Sequence, residues 1–93
     1  MNNNEVFKTL LHLTGCSKNK PLILELFALG GEQEITQSMV RGWRADPASS
    51  RGTAMPDWAL RAFFAGLFEY RDRQSDLGIE VFCFPREPND KCD

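Results

Sequence analysis

Polar side chains able to contact nucleic acid follow one another between Thr36 and Arg44. Gln37, Arg41 and Arg44 recur every three or four residues, so a helix would carry them on one face. Arginine is the commonest side chain that reads guanine edges, and glutamine pairs well with adenine. With Ser38 in the first turn, the segment is similar to the second helix of a helix-turn-helix, which presents such side chains to the major groove.

Two further arginines, Arg51 and Arg61, are candidate phosphate contacts, because most hydrogen bonds to DNA go to its backbone. Two features oppose DNA binding. The turn before the polar helix is longer than the three or four residues of a typical helix-turn-helix, and Glu32 and Glu34 in that turn would repel phosphates. The alternative is that the helix buries its apolar residues in the core and exposes its polar face to water alone.

Metal binding and catalysis have weaker candidates. His12 and Cys16 are four residues apart, but Gly15 is expected to end the helix between them, and no second pair at ligand spacing exists. One histidine and three scattered cysteines give no nucleophile with its base. Glu25, the single acid in an apolar segment, is either a buried functional carboxylate or the solvated strip of its helix. We predict no enzyme activity, metal, cofactor or small-molecule substrate.

The composition is that of one small folded domain. The 93 residues suffice for a single core, and a hydrophobic fraction of 42% argues against disorder. The net charge is −2, so binding to nucleic acid or to an anionic membrane needs a local basic patch. The longest apolar run is too short to span a bilayer. The N-terminus lacks a signal-peptide pattern. Three widely spaced cysteines are typical of reduced thiols. We expect a cytoplasmic protein without membrane contact.

Two helices are predicted in the first third of the chain. Asn3 or Asn4 is expected to cap a first helix that runs to about Thr14. Pro21 suits the first turn of a second helix, which continues to Leu29. The second helix is apolar at all but one position, so we expect it to be buried nearly all round. The two glycines that follow it supply a left-handed cap.

Two more helices follow. Thr36 is the predicted cap of a third helix from Gln37 to Arg44, which an Asp-Pro pair ends. The fourth and longest helix opens at Pro56 and runs to about Asp72. Gly66 inside it costs about 1 kcal/mol relative to alanine. This cost indicates that a neighbouring backbone packs closely there.

Aromatic residues are more numerous than a core of this size needs, and the alternation from Ile79 to Phe84 predicts a short strand. A single strand has no ladder partner in a helical chain, and the same strand of a second copy would supply one. We therefore predict a homodimer or a protein partner with aromatics at the interface; the alternative places all of them in the core. The predicted interface residues are Trp58, Phe64, Phe68, Ile79, Val81, Phe82 and Phe84.

The predicted architecture is all-α. A four-helix domain spans residues 1–74, with second and third helices that are similar to a helix-turn-helix. A C-terminal arm and tail, residues 75–93, carries the strand-like segment.

The segment from Phe27 to Gly31, with Asp57, Phe63 and the Gly66-Leu67 pair, resembles the YehS-like family of small bacterial proteins of unknown function. The resemblance covers roughly residues 3–71. It implies an all-helical unit that usually occurs as two tandem copies in one chain, and it brings no catalytic residue, cofactor or substrate. This chain has a single copy followed by the strand-like tail, which leaves open that two chains assemble in place of the tandem arrangement.

Two functions are compatible with these patterns. The first is a dimeric, helix-turn-helix-like regulator that binds duplex DNA. The second is a protein–protein interaction module, or adaptor, whose fourth helix and arm bind a partner without nucleic acid. A continuous basic face would favour the first, whereas arginines paired with Asp46, Asp57 and Asp72 would favour the second.

Overall fold

The computed structural model describes residues 1–81 of the chain. Within these residues it contains four α-helices and no strand, which confirms the all-α, four-helix class predicted from the sequence. The helices are α1 (Asn3–Leu13), α2 (Lys20–Leu29), α3 (Gln37–Arg44) and α4 (Asp57–Asp76). α2 packs along α4, whereas α3 packs mainly against α1.

Side-chain caps begin three of the helices. Asn2 caps α1 in a capping box, in which its side chain accepts the Glu5 N–H and the Glu5 carboxylate accepts the Asn2 N–H. The cap is therefore Asn2, and the prediction of Asn3 or Asn4 is wrong by one or two positions. Asn19 caps α2, and Thr36 caps α3 as predicted.

Three helices end in the same way. Gly15, Gly31 and Gly78 follow the C-caps of α1, α2 and α4, respectively, and each has a positive φ. Each glycine and the residue after it donate their N–H groups to carbonyls of the last helical turn. This double hydrogen bond is the Schellman motif, which satisfies carbonyls that the helix leaves free. At α4 the motif lies at Gly78, so the helix ends at Asp76 and extends beyond the predicted end at Asp72.

Four aromatic rings form the centre of the core. Phe7 of α1, Phe27 of α2 and Phe63 of α4 are fully buried, and their ring centroids lie 5.0–5.8 Å apart. Trp43 of α3 joins them, with its ring 5.7 Å from that of Phe27. These tilted and edge-on arrangements are the ones that aromatic pairs prefer. One aromatic residue from each helix therefore holds the four helices together.

α2 and α4 cross at close range through two glycines. A Cβ added to Gly66 of α4 would lie 1.7 Å from the carbonyl oxygen of Leu26, and one added to Gly30 would lie 1.8 Å from that of Ala62. Only residues without a Cβ allow backbones to approach this closely. The close neighbouring backbone predicted at Gly66 is therefore confirmed.

α2 is less completely covered than predicted. Ile23, Leu26 and Phe27 are buried, but Leu24 is only partly buried and Glu25 is exposed. The prediction of a helix buried nearly all round is wrong because, within residues 1–81, α2 packs mainly along α4 and its opposite side stays exposed at Glu25. Glu25 thus lies on a solvated strip.

The predicted strand from Ile79 to Phe84 lies half outside the described residues, because Phe82, Cys83 and Phe84 are not among them. Ile79, Glu80 and Val81 are described and form no strand. Ile79 instead donates its N–H to the carbonyl of Gln74, 2.8 Å away, and so completes the end of α4.

Candidate nucleic-acid interface

α3 is an amphipathic helix whose buried and polar sides are well separated. Val40 and Trp43 are buried in the core, and Met39 packs partly against it. Arg41 is exposed and Arg44 is half-buried. The core residues fix the rotation of the helix, and this rotation turns the arginines outward.

A groove of about 210 Å³ lies beside this polar side, where the first turn of α2 meets α3. The side chain of Gln37 links the two helices, because its Nε2 donates to the carbonyl oxygen of Lys20 at 3.1 Å. The amide keeps one N–H and its oxygen for other contacts. We call this site the basic groove; its lining residues are Lys20, Gln37, Val40, Arg41 and Arg44.

The cations of the basic groove have no acidic partner within residues 1–81. Both ion pairs found there lie in the second half of α4, between Arg71 and Asp72 and between Arg73 and Glu69. Among the described residues, no acidic side chain lines the groove. No described carboxylate therefore neutralises its positive charge.

The nearest aspartates in the sequence have other partners. Asp46 accepts the N–H of Ala48 at 2.9 Å within its own turn, and Asp57 accepts the side-chain N–H of Asn3 at 2.7 Å. In the part of the chain that the structure describes, the arginine–aspartate pairing expected of the interaction module occurs for Arg71 with Asp72 alone.

Asn4 anchors the loop that follows α3. It is 2% exposed, and its Nδ2 donates to the carbonyl oxygens of Ala45 and Thr53, at 3.3 and 2.8 Å. Its Oδ1 accepts the N–H of Met55 at 2.7 Å. Because the loop starts at the end of α3, these bonds hold α3 in place against α1. The sequence analysis missed this role, since the partners lie 41 to 51 residues away.

The remaining predicted DNA-binding residues lie outside the basic groove. Ser38 is exposed in the first turn of α3, beside Gln37. Arg51 is exposed on the loop after α3, and its carbonyl oxygen lies near Gly42. Arg61 is exposed on α4. The structure thus brings together three of the six predicted residues and adds Lys20, which the sequence analysis did not select.

The predicted interface aromatics on α4 are exposed to different degrees. Trp58 is 48% exposed, and its ring meets that of Trp43 edge-on at 6.2 Å, so it covers one side of the core. Phe64 and Phe68 are 36% and 54% exposed, and the guanidinium of Arg71 lies 5.2 Å from the centre of the Phe68 ring. Not all the aromatics are therefore in the core. Ile79 is 50% exposed and Val81 is half-buried.

Residues for other kinds of site are scattered. Residues 1–81 contain no group of three or more histidine, cysteine, aspartate or glutamate side chains placed to hold a metal ion. His12 is exposed, whereas Cys16 is buried, so the two do not share a surface. Across the same residues, every helix is too short or too polar to cross a membrane.

Comparison with known proteins found no matching family model, no matching curated protein and no matching solved structure. The resemblance to the YehS-like family therefore stays a prediction.

Proposed function

We propose that this protein binds duplex DNA through the basic groove and the exposed first turn of α3, and that it acts as a regulator. Lys20, Arg41 and Arg44 contact phosphates or guanine edges. Ser38 and the free N–H of Gln37 add hydrogen bonds at the same surface. We propose no metal, cofactor or catalysis for this protein, and we place it in the cytoplasm.

The observation that carries the proposal is the unpaired charge of the groove. Three cationic side chains meet there, no carboxylate lines the groove, and none of the three takes part in the ion pairs of the described residues. A cation that is already paired must break that pair before it can bind a phosphate, and these side chains carry no such cost. Their binding to phosphates also releases counterions from the duplex, which favours association at low salt.

The arrangement of the helices supports the proposal. α3 begins at a capped N-terminus, and its apolar side is fixed by Trp43 and Val40. Asn4 holds the end of α3, and Gln37 holds its start against α2. A surface held at both ends loses little conformational freedom on binding, and this lowers the cost of association.

Fluorescence anisotropy with a random-sequence duplex tests the proposal. The double variant Arg41→Ala, Arg44→Ala should weaken binding by about 100-fold or more, since charge-assisted hydrogen bonds contribute about 1.5–3 kcal/mol each. The matched control is Lys8→Ala, Lys18→Ala, which removes the same charge from exposed positions that do not line the groove and make no ion pair within residues 1–81. Equal loss in both variants would mean that only net charge matters, and the proposed site would be wrong.

A second function, a protein–protein interaction module, is favoured by the exposed rings of Phe64 and Phe68 on α4. Exposed aromatic side chains are enriched at protein interfaces. This alternative requires that the wild-type chain show no salt-dependent binding to duplex at about 50 mM salt, a lenient condition for weak contacts. Salt-dependent binding of the wild-type chain in the anisotropy assay would therefore contradict the interaction module.

A further inference from the structure

The outer side of α4 carries an apolar centre between charges of opposite sign. Phe64 and Phe68 are one turn apart and are both exposed. Arg61 precedes them, and Asp72 follows them, on exposed positions of the same helix. We call these four residues the α4 ridge.

The two charges lie on the same side of the helix. Asp72 lies eleven positions after Arg61. This spacing is about three complete turns, and it leaves the two residues only about 20° apart around the helix axis. Arg71 lies about 80° around the axis from Arg61, and its guanidinium is placed over the ring of Phe68. The order along the ridge is thus cation, two aromatic rings, anion.

We propose that the α4 ridge is the contact surface of a homodimer, in which a second copy of this chain packs its α4 antiparallel against the first. A two-fold axis between Phe64 and Phe68 places Phe64 against Phe68 of the partner subunit. Arg61 then lies opposite Asp72 of the partner subunit, with an offset of about 1.5 Å along the helices.

Charge complementarity selects a second copy as the occupant. The two-fold axis repeats each contact, so Arg61 and Asp72, at nearly equal distances from the axis, form two ion pairs with the same residues of the second copy. Arg71 stays over the ring of its own Phe68. Arg61 makes no ion pair within the described residues, and Asp72 pairs only with its exposed neighbour Arg71 at 3.3 Å. Arg61 can therefore pair across the axis directly, and Asp72 can exchange its contact with Arg71 at little cost, since exposed ion pairs contribute little.

The sequence-based expectation of a homodimer rested on the C-terminal strand and on aromatics that include Phe64 and Phe68, whereas this proposal uses α4 alone and adds the charges of Arg61 and Asp72. It is also independent of the basic groove, whose lining residues include none of the ridge. Failure of DNA binding would therefore leave the dimer proposal intact, and the reverse also holds.

Charge exchange on the full-length chain tests the proposal by light scattering and sedimentation at low salt. The wild type should be dimeric at tens of micromolar. Arg61→Asp and Asp72→Arg should each raise the dissociation constant by about tenfold or more, since each places two like-charge contacts in the dimer. Mixed in equal amounts, the two variants should form a heterodimer, because one chain then carries two anions and the other two cations.

The fold is not at risk in this experiment, since Arg61 and Asp72 are both exposed. Circular dichroism of each variant checks that it is folded. A wild type that stays monomeric at these concentrations overturns the proposal, and the ridge would then bind another protein or another part of the chain. A dimer that neither single variant weakens, or single variants that do not combine on mixing, would place the contact elsewhere and overturn it equally.

Discussion

Replacing Gly66 with alanine should raise the helix propensity of α4 but should disturb its packing against α2. In an exposed helix this change stabilises by about 1 kcal/mol. At Gly66 the new Cβ would lie 1.7 Å from the carbonyl oxygen of Leu26, whereas ordinary contact begins near 3.4 Å. α2 and α4 would have to move apart by more than an ångström, and no flexible side chain can absorb the movement.

The magnitude follows from these opposing effects. Overpacking a core costs about 1–3 kcal/mol and occasionally more, and the upper end applies here because backbone meets backbone. After subtracting the propensity gain of about 1 kcal/mol, the free energy of unfolding should fall by about 2 kcal/mol. Gly30 of α2 makes an equally close contact with Ala62 of α4. The two helices therefore cannot relieve the clash at Gly66 by sliding toward Gly30.

Denaturant unfolding followed by tryptophan fluorescence measures this loss, because Trp43 is buried in the core. Ala65→Gly is the matched control at the adjacent, exposed position, and it should cost only about 1 kcal/mol. If Gly66→Ala raises the unfolding midpoint, as propensity alone requires, the close crossing of α2 and α4 is wrong.

Two further predictions concern stability. Asn4→Ala leaves the buried Met55 N–H and two loop carbonyls without their partner, so it should cost about 3 kcal/mol in the same unfolding assay. Asn3→Ala breaks two bonds of a less buried side chain, to the Met55 carbonyl and to Asp57, so it should cost about 1 kcal/mol. Equal losses from Asn3→Ala and Asn4→Ala would contradict the anchoring role. Trp43→Ala and Phe63→Ala should each cost about 3–5 kcal/mol. A loss below about 1 kcal/mol would show that these rings do not hold the helices together.

The sequence predicts α3 well because its signals are local. Thr36 is a strong cap, Val40 and Trp43 recur at helical spacing, and the structure has the helix from Gln37 to Arg44 as predicted. The end of α4 was misplaced although its signal is also local. Gly78 is the residue that stops the helix, and the charged residues before it are good helix formers.

The cap of α1 also has a local signal, because among three consecutive asparagines only Asn2 lies three residues before Glu5. The tertiary contacts have no such local signal. The buried role of Asn4 depends on a loop that returns from the far end of α3. Lys20 lines the basic groove because α2 begins beside α3. No periodic pattern in the sequence indicates that arrangement.

The salt dependence of duplex affinity tests the central claim most directly. Each phosphate contact contributes about 0.9 to the slope of log affinity against log salt, so three groove cations should give a slope near −2.7 for each protomer. The variant Arg41→Ala, Arg44→Ala should reduce the steepness by about 1.8. Binding with these slopes would support DNA recognition through the basic groove. An absence of binding at about 50 mM salt, or a slope that the variant leaves unchanged, would contradict it.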